Sequence, residues 1–248
     1  MPFPSTRSFV AYFILVLVVC SPPTTLFGQV PDYVLDAVEL PDERIKWGFV
    51  LSDTTLAGGK YHYYLLPEIV DNEDYPPTED EFELAAHHIL VASATSSHSP
   101  RVVHHLVQSE AETQWYSDAV RLDRIELDTQ DFNSVAGYPT VALRTTFSGS
   151  SRVNPYQESL LNLFILEADT LRPALRNFSL VHSSGEWDTR CAGYFETTNR
   201  RLLDTTQVLN QLFFREQRTM IETVVHPITG ECEEARTVTT KTIQVPVR

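Results

Sequence analysis

The chain carries 33 Asp and Glu against 19 Lys and Arg over 248 residues, a net charge of −14. That is the wrong sign for a surface that tracks phosphates, so nucleic acid and anionic membranes are disfavoured as partners. Nine glycines leave little from which to build a backbone-lined nucleotide site, and no G-x-S-x-G, H-E-x-x-H or phosphate-loop motif occurs.

Residues 1–29 read as a secretory signal. Arg7 is the only charge before the apolar run 9–19, and a small, polar stretch leads to Gly28-Gln29. The run is shorter than the roughly 20 apolar residues a membrane span needs. Cleavage there leaves 18 basic against 33 acidic residues, a balance of −15, which mainly promotes solubility and leaves a basic protein partner electrostatically allowed. Export places the mature chain in a periplasmic or extracellular compartment with no stable membrane insertion. The alternative is a lipid anchor on Cys20, against which Val19 argues, because a lipobox has a small residue there.

The mature chain divides into N-terminal strands with an acidic loop (30–83) and a main antiparallel β domain (84–248). Short runs rich in Val, Ile, Leu, Tyr, Phe and Thr alternate with turn signals, the pattern of an all-β chain. Residues 60–66 (KYHYYLL) follow Gly58-Gly59 and end at Pro67. Residues 68–83 place eight acids around Pro76-Pro77 without apolar period, which predicts a solvated, mobile connection. Its Asp71-Asn72-Glu73-Asp74 offers oxygen ligands for Ca²⁺ but lacks the spacing of a calcium loop.

Residues 84–93 and 101–109 predict a hairpin centred near Ser96. Matching the doublets His87-His88 and His104-His105 sets His88 against His104 and His87 against His105, one pair per face. Two imidazoles on one face can share a Zn²⁺, with His62 or His98 as a third ligand. Two ligands leave zinc under-coordinated, so the expectation is partly exposed, metal-free histidines.

Strands are further predicted at 120–127, at 140–147 with Val141, Leu143, Thr145 and Phe147 on one face, and at 160–166. The last run (LLNLFIL) suits a strand covered on both faces or a short buried helix, which periodicity does not separate; Ala168-Asp169-Thr170 reads as the turn before a returning strand at 175–182, which favours the strand. Residues 192–199, 212–225 and 235–245 predict three long strands, the last two joined through His226-Pro227-Ile228-Thr229-Gly230. A short helix and a β connection are equally compatible with 203–211.

In a meander Cys191 and Cys232 arrive at the same end, and an even pair in an oxidising compartment predicts a disulfide between them. The loop 149–156 supplies Arg152, Asn154 and Tyr156, residue types that binding loops use. Trp187 is a fourth binding candidate and is expected to cover the disulfide. Glu186 and Asp188 are too close in sequence to face each other as glycosidase carboxylates do.

The expected architecture is a sandwich of two packed antiparallel sheets with at most one short helix, or else a partly open barrel. The expected function is a non-enzymatic binding or interaction module without cofactor. The alternatives are a metal-binding protein or metal-dependent hydrolase using the His pairs, and an envelope structural protein.

Overall fold

A computed structural model describes residues 30–72, 76–128, 132, 134–135, 137–188, 190–204 and 211–247. The expected signal, Cys20 and most of the segment 203–211 lie outside them.

The fold is an all-β sandwich of two antiparallel sheets. It begins with α1 (Asp32–Val38), closed by Glu39 in a left-handed conformation whose N–H returns to the Leu35 carbonyl. The first sheet holds β1 (Leu51–Leu56), β2 (Tyr61–Ile69), β3 (Phe82–Ala92) and β4 (Arg101–Gln108) in that order. After α2 (Glu110–Thr113), β5 (Trp115–Ser117) pairs with the start of β3. The α2 turn forms because Ser109 and Glu112 cap each other's orphan N–H groups, a complete capping box.

Strand β2 runs past the expected stop at Pro67. The Pro67 carbonyl accepts from the Lys46 N–H, beyond the point where β1 pairing ends. The missing proline N–H therefore interrupts no ladder. The expected division after residue 83 falls inside β3, which pairs with β2 from Tyr61↔Ala92 to Ile69↔Leu84. The acidic segment is thus a connection within one sheet.

The second sheet holds β6 (Val120–Leu127), β7 (Ser134–Val135), β8 (Tyr138–Gly149), β9 (Tyr156–Glu167), β10 (Thr170–Trp187), β11 (Gly193–Asp204), β12 (Gln211–Val225) and β13 (Cys232–Pro246). β8 to β13 form an up-and-down meander with β6 beyond β8, so β6 and β13 are its edges and the sheet stays open rather than closing into a barrel. β9 and β10 meet through Ala168 and Asp169, both at positive φ (47° and 66°), the two-residue turn whose twist matches that of the flanking strands. At 203–211, Leu203 and Asp204 belong to β11 and Gln211 to β12.

Alternation decides which face each strand buries. Val141, Leu143 and Phe147 of β8 join Leu160, Phe164 and Leu166 of β9 against Tyr63, Leu65, Leu84, Leu90 and Trp115 of the first sheet. The odd residues Leu161, Leu163 and Ile165 of β9 enter a second core with Phe132, Leu212 and Phe214. β9 is therefore covered on both faces, as its continuous apolar run requires. A third cluster covers the outer face of the first sheet, where Val30, Val34, Leu40 and Ile45 pack on Tyr64, Leu66, Ile89 and Val91.

Candidate functional site

The histidine doublets sit on β3 and β4, in a register that corrects the expected one. Ala92 pairs with Arg101, which centres the turn between Ser96 and Ser97, and Val103 is an extra residue between Leu90↔His104 and Val91↔Val102. Such a bulge displaces every pair beyond it. His88 consequently stands opposite Leu106, His87 opposite Val107, and His105 opposite Ile89. The assignment of His88 and His104 to one face and His87 and His105 to the other survives, because the total displacement is two residues.

His88 faces the inter-sheet core and is fully buried, correcting the expectation of partial exposure. Its Nδ1 lies 2.8 Å from the Tyr63 hydroxyl and its Nε2 2.8 Å from Gln108 Oε1, with the Phe164 ring 4.3 Å away between centroids. Gln108 Oε1 only accepts, so Nε2 carries the proton and Nδ1 accepts from Tyr63. Burial pushes the imidazole down to about 3 and the Tyr63 phenol well up, so both are neutral at physiological pH. His104 shares this face, and its Nε2 is buried without a hydrogen-bond partner among the described residues.

On the outer face a polar chain runs between strands. The Arg44 guanidinium lies 2.9 Å from Glu68 Oε1, and Glu68 Oε2 lies 2.6 Å from His87 Nε2. His87 Nδ1 is in turn 2.9 Å from His105 Nε2, with the rings stacked at 5.1 Å. His87 is buried, again against expectation, whereas His105 reaches solvent. Burial, then the His87 and His104 rings, lower the His105 pKa. Glu68 orients His87 as a carboxylate orients a catalytic base, but among the described residues no hydroxyl or thiol hydrogen-bonds to His105. Nor do three His, Cys, Asp or Glu side chains there converge as metal ligands. His62 lies opposite Val91, towards the other end of β3.

The remaining candidates gather at the far end of the second sheet, where β10 to β13 form an arm. Cys191 and Cys232 are bridged there, with Cα atoms 5.6 Å apart. Asp188 shapes the approach, its carboxylate accepting from the Arg190 and Cys191 backbone N–H groups at 2.7 and 2.8 Å. Those bonds, to Cys191 first, hold its pKa down. This is a turn-forming role, not that of a general acid.

Trp187 lies over Gly193 and Phe195 over Gly185, so each aromatic fills the space beside a cross-strand glycine. The loop 149–156 runs along the same strand, its Val153 and Pro155 carbonyls accepting from the Trp187 and Gly185 N–H groups. Arg152 and Asn154 are exposed, whereas the Tyr156 hydroxyl is committed to Glu158 at 2.6 Å. The Tyr156 ring packs edge-on against His182 at 5.6 Å, but the structure does not bring these residues together with the histidine doublets of β3 and β4.

One face of the arm is a charged ladder, with Glu196 on Arg218 and Glu216 between Arg200 and Lys241. The other face carries Phe195, Ile221, Thr219 and Val238. β13 forms the outer edge and is exposed along nearly its whole 15-residue length.

Sequence reading missed three elements of these sites. Glu68 reads as one member of an acid run, although its two-residue spacing from Leu66 places it on the outer face. Gln108 ends an apolar run and carries no signal of its own. The exposure of β13 is invisible because its alternation matches that of a covered strand. Comparison with known families, characterised proteins and solved structures returns no match.

Proposed function

We propose that this chain is an exported, non-enzymatic interaction module whose contact surface is the arm formed by β10 to β13. The observation that carries this reading is β13, a long edge strand exposed on both faces and rich in Thr and Val. An uncovered edge is a template for another strand, and folded proteins shorten or cover such edges where pairing is not wanted. The bridge from Cys191 to Cys232 supports the same reading, since it ties the start of β13 to the approach to β11 and suits an oxidising compartment. The buried, neutral His88 and the linear chain from Arg44 to His105 are better explained as organising polar networks than as reacting groups.

The test is capture from an envelope extract of the source organism, using the chain and a Val238→Pro variant, each with and without chelator. A protein retained by the parent, lost with the variant and indifferent to chelator supports the module. Equal retention by both, or retention that needs metal, moves the function away from the arm.

A further inference from the structure

The free edge of β13 has a defined polarity. The His226 N–H donates to the Glu231 carbonyl at 2.8 Å, and the ladder continues through Val224↔Glu233 and Glu222↔Ala235. Hydrogen-bonded pairs alternate in an antiparallel ladder, so odd residues of β13 spend their backbone groups on β12. Residues 234, 236, 238, 240 and 242 point their N–H and C=O groups outward, and no described strand takes them. Charge is also polarised along this edge, with Glu231, Glu233 and Glu234 near its start and Lys241 towards its end.

We infer that two copies of this chain pair antiparallel along β13, joining their second sheets into one continuous sheet about a two-fold axis at Thr237. This rests on the arm being a contact surface and names its partner. A two-fold axis perpendicular to the sheet keeps equivalent faces together, so residue i meets a partner of the same parity. With Thr237 on the axis, Glu233 of each copy stands opposite Lys241 of the other, and both are odd residues. Odd positions are then the non-hydrogen-bonded pairs, where opposed side chains approach most closely. The outward N–H and C=O groups of Glu234 and Thr240 exchange hydrogen bonds, as do those of Arg236 and Val238. The Arg236 stem covers Val238, which is 47% exposed in the single chain.

A uniformly basic strand fits the same edge less well, because it meets Arg236 and Lys241 as well as the glutamates. The acidic-to-basic polarity is complementary to itself only when reversed, which is the relation antiparallel pairing of identical strands supplies.

The inference is tested on the purified chain with its disulfide intact. Sedimentation is expected to give a concentration-dependent dimer, with slow amide exchange at 234, 236, 238 and 240. Val238→Pro removes an outward N–H, leaves the β12 ladder whole and is expected to abolish the dimer while the melting transition persists. Glu233→Lys is expected to weaken it by roughly tenfold or more, since two opposed pairs turn repulsive. Thr237→Cys is expected to cross-link on oxidation, and Thr239→Cys is not. A monomer at all accessible concentrations overturns the inference, as does a dimer that Val238→Pro leaves intact. If the purified chain is monomeric but envelope capture still depends on Val238, self-pairing fails and the interaction module stands. If both fail, the arm is not a contact surface.

Discussion

Replacing His88 by Gln removes a titrating group from the inter-sheet core while keeping its hydrogen-bonding sense. The Gln carbonyl can accept from Tyr63, and its amide can donate to Gln108, the partners that lie 2.8 Å from the imidazole nitrogens. In the folded chain burial holds His88 at about 3, against 6.5 as the ordinary value. The folded state thus resists a proton that the unfolded chain accepts. The stability tied to a neutral His88 is complete above pH 6.5 and is lost as pH falls from 6.5 towards 3. The slope in that window is about 1.4 kcal/mol per pH unit, so a drop to about pH 5 costs about 2 kcal/mol. Urea denaturation of parent and variant at about pH 8 and about pH 5 isolates this contribution, because every other titrating group is common to both. The parent is expected to lose about 2 kcal/mol more than His88→Gln on acidification. Equal losses would show that His88 is not the buried neutral group described, and the Tyr63–His88–Gln108 network would have to be redrawn.

Breaking the Cys191–Cys232 bridge, which spans 41 residues, is expected to lower stability by about 4 kcal/mol on the loop-entropy relation; thiol counting on residues 30–248 under non-reducing conditions should find no free cysteine. Gly193→Ala would place a Cβ 2.3 Å from the Glu186 carbonyl and is expected to cost about 1–3 kcal/mol. Gly48→Ala meets nothing within 4 Å and should be close to neutral, so equal melting temperatures for the two variants would contradict the packing described. Calorimetric titration of Zn²⁺ is expected to show no saturable site at micromolar levels. A 1:1 site lost on changing His87 and His105 to Ala would place the chain among metal-binding proteins.

Much of the fold is legible in the chain. The alternation of Val141, Leu143, Thr145 and Phe147 assigns the inner face of β8, because burial acts on each side chain where it stands, and the turn and returning strand after the run 160–166 favour a doubly covered strand there over a short buried helix. The meander of the last third follows from three long runs and a Pro-Gly turn, and it carries Cys191 to Cys232. Lateral placement is a different matter. One bulge at Val103 and a turn displaced by half a residue move the histidines past their expected partners, and periodicity reports a residue's face without its position along the neighbour. Glu68 meets His87, and Tyr63 meets His88, only because β2 lies beside β3, a pairing set by the two strands' combined burial rather than by either alone. Whether β13 is an inner strand or an edge depends on what lies beyond it. Only the tertiary structure decides that, since local sequence encodes a strand's propensity to pair but not the number of partners it receives.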